Sequence, residues 1–67
     1  MTKFEKAIAD AGYTKKEFAT IIGIRDANLF GYFYNPEKIK KMRVKLAMKT
    51  AITLNISLEE LLEMGDE

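Results

Sequence analysis

Basic side chains are concentrated in one stretch of the chain. Residues 38–49 contain six basic residues and no acidic one. Ammonium and guanidinium groups bind phosphate through their charge, and lysines spread along a nucleic-acid backbone give affinity without base preference. The stretch predicts a surface that binds a polyanion; the alternative is an ordinary solvated face. If the stretch is helical, four of its lysines share one face of that helix: Lys38, Lys41, Lys45 and Lys49.

Other kinds of chemistry are excluded by residue types that the chain lacks. It has no Cys and no His. A disulfide framework, a thiolate or imidazole zinc site, a nucleophile paired with histidine and a histidine acid–base catalyst are therefore impossible. Asp and Glu pairs occur, but the sequence places none of them in an identifiable pocket. We predict that the protein is not an enzyme, needs no cofactor and acts on no small-molecule substrate.

Length, composition and charge distribution indicate one folded domain over residues 1–67. With 67 residues, 48% hydrophobic and 31% charged, the chain is too apolar for intrinsic disorder and too short for two cores. Residues 1–49 hold all 11 basic residues and five of the ten acids, whereas residues 50–67 hold five acids and no base. Such a dipolar chain suits a module that presents one face to a polyanion. The absence of a membrane-spanning run or a secretory signal leads us to expect a cytoplasmic protein without membrane association.

Three capping boxes mark predicted helix starts. In a capping box, a Ser or Thr and a Glu three residues later each accept a hydrogen bond from the other's backbone N–H. Apolar residues follow each box at helical spacing, which predicts the first, second and fifth helices of the domain. Gly12 is expected to end the first helix and Gly23 the second. The boxes are Thr2 with Glu5, Thr14 with Glu17 and Ser57 with Glu60.

Two further helices are predicted in the middle of the chain. Asp26 can cap a third helix over residues 26–33 or favour its start through its charge. The Asn35-Pro36 pair then breaks the pattern, and a loop is expected. A fourth helix begins at about Arg43 and ends at Asn55. No segment alternates with a period of two residues, so the predicted fold class is all-α, a compact five-helix domain. The apolar stripe of the fourth helix comprises Val44, Ala47, Met48, Ala51 and Leu54.

The link between the second and third helices is the most informative feature. Gly23-Ile24-Arg25 is too short for the two helices to pack as an antiparallel hairpin, so they should cross steeply, as in a helix-turn-helix. Together with this link, five other segments resemble the Cro and repressor (XRE-type) helix-turn-helix family over nearly the full chain. Residues 35–42 match least. The matching segments are residues 12–19 (GYTKKEFA), Leu29, Tyr32-Phe33, 51–54 (AITL) and 56–62 (ISLEELL).

The resemblance implies double-stranded DNA as the partner, with the third helix in the major groove and possibly a homodimer on a near-palindromic site. Ala19, Gly23, Ile24 and Leu29 match scaffold positions of the family. The position at the start of the second helix that the family directs at a phosphate is Lys15, with Lys16 beside it. The positions that resemble base readers are Asp26, Ala27 and Gly31, with Arg25, Asn28 and Phe30 nearby.

Several of these positions have a second interpretation. By the donor and acceptor pattern of base edges, Arg25 and Asn28 are the strong readers, whereas Asp26 is more readily explained as a helix cap. Phe30 either contacts a thymine methyl, packs on the fourth helix or a partner chain, or is an isolated exposed residue. Glycine weakens a helix, so at Gly31 either a backbone approaches closely or the helix is near its end. Asn35 is either a phosphate ligand or a turn former.

These patterns predict a DNA-binding transcriptional regulator of the phage or mobile-element repressor type. The alternative is a helix-turn-helix fold reused for protein–protein interaction, with Phe30, Met42, Leu46 and Ile52 as contacts. The predicted DNA-binding residues are Lys15, Lys16, Arg25, Asp26, Ala27, Asn28, Phe30, Gly31, Asn35, Lys38, Lys40 and Lys41.

Overall fold

The computed structural model describes residues 1–66, which form five α-helices and two short 3-10 helices and contain no strand. The predicted all-α class is confirmed. No helix in this part of the chain has the length and apolarity that crossing a bilayer requires. The α-helices are α1 (Lys3–Asp10), α2 (Lys15–Ile22), α3 (Asp26–Tyr34), α4 (Val44–Leu54) and α5 (Leu58–Glu63). A first 3-10 helix (Pro36–Lys41) precedes α4, and a second 3-10 helix (Met64–Asp66) follows α5.

All three predicted capping boxes form. At the start of α2, for example, the backbone N–H of Glu17 donates to Thr14 Oγ1 at 3.1 Å, and the N–H of Thr14 donates to Glu17 Oε1 at 2.9 Å. The same reciprocal bonds begin α1 and α5. Each box satisfies two backbone donors that the helix itself leaves unpaired. Three of the five α-helices therefore begin where a four-residue sequence pattern indicates.

Left-handed residues end three of the α-helices. Gly12 and Gly23 have φ of 89° and 78°, a conformation that side chains disfavour, and Asn55 has φ of 56°. The helix α1 stops at Asp10, slightly before the predicted end. The terminators expected from the sequence thus direct the chain out of α1, α2 and α4.

An aromatic cluster around Phe4 holds the first three helices together. The Phe4 side chain is completely buried. Its ring centroid lies 6.1 Å from that of Phe18, 6.4 Å from that of Tyr32 and 5.7 Å from that of Phe33. Edge-on and tilted pairs of this kind add to the free energy of apolar burial. The cluster ties α1 to both α2 and α3, and so fixes the inner face of α3.

Residues 36–41, expected to be a loop, form the first 3-10 helix instead. Ile39 anchors this helix because its side chain is completely buried in the core. Met42 and Arg43 then separate it from α4. The basic stretch is therefore two helical segments joined by a non-helical step, so the single lysine face predicted over residues 38–49 does not form.

The buried face of α4 also differs from the predicted stripe. Ala47, Ala51 and Leu54 are buried as expected, but Val44 and Met48 are 71% and 51% exposed. The core lies on the side of the helix that includes the completely buried Thr50, because α4 packs between α2 and α5. The apolar residues at positions 44 and 48 lie beside this face and meet solvent.

Candidate nucleic-acid interface

The helix α3 is held by its inner face and exposed along its outer face. Leu29 and Phe33 are buried, whereas Ala27, Asn28 and Phe30 are exposed. The three-residue link positions the start of α3 because Gly23 is left-handed and the N–H of Ile24 donates to the Ala19 carbonyl at 3.0 Å. The candidate base-reading helix thus begins at a well-determined point.

At the start of α3, Asp26 is not the capping residue. The N-cap residue is Arg25, whose side chain makes no capping hydrogen bond with the described residues, and Asp26 is the first helical residue. A carboxylate in the first turn still favours the helix through the backbone dipoles. Asp26 therefore acts through its charge, the second of the two expected mechanisms. Arg25 and Asp26 are both exposed.

A basic cavity runs along one side of α3. Its volume is about 330 Å³. Gly31 lies in its wall, and the Lys38 ammonium extends over this glycine, 3.6 Å from the position that a Cβ atom would occupy. Gly31 also lies in the last turn of α3, where its carbonyl accepts from the Asn35 N–H, so the helix is near its end as one of the two expectations has it, and the neighbouring group is a side chain and not a backbone. The cavity is lined by Ile24, Ala27, Asn28, Gly31, Tyr32, Lys38, Lys41 and Leu46.

A second cavity, of about 250 Å³, adjoins the link and has Ile24 and Leu46 in common with the first. Its basic residues come from α4 and from the step before it. None of the basic side chains along the two cavities lies within 4.0 Å of an acidic oxygen of residues 1–66. We call this set the basic surface: Lys38, Lys41, Arg43, Lys45 and Lys49.

The other side of α3 carries an aromatic patch and Lys15. The Lys15 ammonium lies 3.1 Å from Glu5 Oε2, 5.4 Å from the Phe33 ring centroid and 6.0 Å from that of Phe30. The pKa of Glu5 is lowered because its carboxylate accepts a hydrogen bond from the Thr2 backbone N–H and another from Lys15. The charge of Lys15 is thus balanced within the chain, unlike the charges of the basic surface.

Lys40 is also engaged within the chain. Its ammonium forms an ion pair with Asp66 of the second 3-10 helix. Its aliphatic stem covers the buried Gly65, whose absent Cβ would lie 2.9 Å from Lys40 Cγ. Lys40 therefore points to the acidic end of the chain, whereas its neighbour Lys41 lines the basic cavity.

The remaining predicted residues lie outside the basic cavity. Lys16 is exposed on the outer side of α2 and has no ion-pair partner among residues 1–66. Asn35 ends α3: its N–H donates to the Gly31 carbonyl at 3.0 Å and its own carbonyl accepts from the Lys38 N–H at 2.9 Å. Asn35 is thus a turn former with an exposed side chain.

Phe30 packs within its own helix and against Lys15. Its ring lies 6.0 Å from that of Phe33, and its side chain remains 38% exposed. Tyr34, one turn later on the same side, is 82% exposed. These aromatic residues border the exposed face of α3 opposite the basic cavity.

Sequence reasoning missed three long-range pairings at this site: Lys15 with Glu5, Lys40 with Asp66, and Lys38 with Gly31. The glycine inside a helix was the one local signal of the third pairing. Comparison of the chain with models of known protein families, with curated proteins and with solved structures found no match.

Proposed function

We propose that this protein is a DNA-binding transcriptional regulator of the repressor type, in which α2, the link and α3 act as a helix-turn-helix. The observation that carries the proposal is the basic surface beside the exposed face of α3. The side chains of the basic surface have no acidic partner among residues 1–66. Uncompensated cations next to a solvent-exposed helix suit a phosphate backbone flanking a major groove.

The exposed face of α3 supplies a small set of base contacts. In the major groove, Arg25 would donate to guanine, Asn28 would bond adenine in a bidentate manner, and the Ala27 methyl would contact a thymine methyl. The short side chains of Ala27 and Gly31 let the helix approach the base edges closely. This arrangement supports sequence preference through few contacts and affinity mainly through phosphates.

Salt dependence of duplex binding tests the proposal. A fluorescein-labelled duplex of mixed sequence is titrated with the protein and followed by anisotropy at several salt concentrations. If four phosphates are neutralised, the slope of log K against log salt is about −3.6, and affinity falls roughly 100-fold between about 50 and 200 mM salt. Amide shifts on the same duplex should concentrate in residues 25–35 and the basic surface. Absence of binding at low salt would refute the proposal.

A protein-binding module is the second candidate, favoured by an apolar row on α4. Val44, Met48 and Ile52 follow one another at four-residue spacing and are 71%, 51% and 74% exposed. Met42 and Leu46, also considered as partner contacts, instead pack against the protein's own core. Binding through the apolar row, to another protein or to a second copy, would change little with salt and would shift amides of α4.

A further inference from the structure

We propose that Lys38 reads a base from outside α3, in the place that a side chain at position 31 would otherwise take. The inference rests on the proposed DNA-binding function and deepens it by naming a residue that determines specificity. It assigns to Lys38 a contact with the O6 and N7 acceptors of guanine, in addition to the phosphate contacts expected of the other lysines.

A glycine occupies position 31 within α3, on the side that Lys38 approaches. Gly31 lies inside the helix and is not among the glycines with positive φ, so its backbone conformation does not require glycine. A Cβ atom there would contact only the Lys38 ammonium, at 3.6 Å. A longer side chain would compete with Lys38 for this space. The absence of a side chain therefore opens the surface of α3 to a cation from another element.

The backbone of Lys38 is fixed beside Gly31, and its ammonium has no acidic partner among residues 1–66. Lys38 lies on the first 3-10 helix, which is anchored by the buried Ile39 and by the bond from the Lys38 N–H to the Asn35 carbonyl. No acidic oxygen of residues 1–66 lies within 4.0 Å of its ammonium. An unpaired ammonium over a helix that faces a groove is available to base acceptors.

Lys38 shares its cavity with two exposed residues of α3. Ala27 and Asn28 of α3 line the same cavity, so the ammonium is placed among the side chains that would face base edges. The amide of Asn28 suits adenine, and no basic side chain projects from α3 itself. Arg25, the N-cap residue, would read guanine at the start of α3, and Lys38 would supply a second guanine-reading donor beside Gly31.

Lys41 provides a matched control. It lies on the same 3-10 helix, lines the same cavity and has no acidic partner among residues 1–66. It does not extend over the backbone of α3 as Lys38 does at Gly31. Lys41 is therefore expected to contact phosphate alone, which gives affinity without sequence preference.

The test begins with selection of duplexes from a randomised library by the wild-type protein, Lys38→Ala and Lys41→Ala. Anisotropy then compares the preferred duplex with versions in which each guanine in turn is replaced by adenine or by deazaguanine, which lacks N7. We expect wild-type affinity to fall at least about fivefold at each of two guanines, one read by Arg25 and one by Lys38, and the discrimination at only one of them to vanish in Lys38→Ala. Lys41→Ala should weaken binding to all duplexes by a common factor and keep the preference.

Two results would overturn the inference while leaving the proposed function intact: a uniform loss in Lys38→Ala equal to that in Lys41→Ala, or wild-type binding indifferent to every guanine. Failure of the wild-type protein to bind any duplex at low salt would overturn both. If Lys38→Ala does not fold, Lys38→Gln, which keeps part of the aliphatic stem, takes its place in the same comparison, because only a Lys38 variant separates the guanine read by Lys38 from the one read by Arg25. Lys38→Arg, which keeps the donor, should retain the preference.

Discussion

Lys40 and Lys41 are adjacent and carry the same charge, but they should respond differently to substitution when DNA binding is measured. The Lys40 ammonium is paired with Asp66, whereas Lys41 lines the basic cavity without an acidic partner among residues 1–66. Replacement of each by Gln removes the charge and keeps part of the aliphatic stem, which at Lys40 covers Gly65. The two variants therefore form a matched pair.

The expected magnitudes follow from counterion release. Each neutralised phosphate contributes about −0.9 to the slope of log K against log salt, so loss of one contact at Lys41 weakens binding about eightfold at about 0.1 M salt. Lys41→Gln should also make the slope less negative by about 0.9. Lys40→Gln should leave the slope unchanged and alter affinity less than about twofold, because its charge is already balanced. The Lys40 pair is about half exposed, so its loss costs no more than about 1 kcal/mol of stability.

The assay is anisotropy with one labelled duplex over a series of salt concentrations, accompanied by thermal unfolding followed by circular dichroism. Unfolding establishes that both variants are folded at the binding temperature. Equal losses of affinity and equal changes of slope in the two variants would refute the reasoning, since the ion pair with Asp66 would then not distinguish them.

Three predictions concern stability. Thr50→Val should raise the free energy of unfolding by about 1 kcal/mol, since the buried Thr50 hydroxyl has no hydrogen-bond partner among residues 1–66; an unchanged or lower melting temperature would contradict this. Gly65→Ala should lower the free energy of unfolding by about 1–2 kcal/mol, because the added Cβ would lie 2.9 Å from Lys40 Cγ and 3.2 Å from the Pro36 carbonyl oxygen. Urea unfolding measures this change. The pKa of Glu5 lies below its ordinary value of 4.5 because the N-cap backbone N–H, and then a lysine, bond its carboxylate. The ionised Glu5 carboxylate should therefore contribute fully to the free energy of unfolding above about pH 4.5, and this contribution should decline as the pH falls through the lowered pKa. In Glu5→Gln, urea unfolding at several pH values should show that this contribution to the pH dependence has disappeared.

The starts of α1, α2 and α5 and the left-handed turns that follow α2 and α4 were predictable because their causes are local. In the capping box of Thr14 and Glu17, both hydrogen bonds join residues three positions apart. The left-handed turns at Gly23 and Asn55 likewise depend on the residue at that position. The 3-10 helix after Pro36 was not predicted, since its stability depends on the burial of Ile39 against elements far along the chain.

The sequence by itself determined the all-α class, three of the helix starts and the concentration of positive charge, since these depend on residue types and on bonds between near neighbours. Only the tertiary structure decided which of those charges are free. Lys15 meets Glu5 across two helices, Lys40 meets Asp66 near the other end of the chain, and Lys38 lies above α3 without an acidic partner among residues 1–66. Contacts between distant residues form only when the core brings their helices together, so residue types and spacing alone do not contain them.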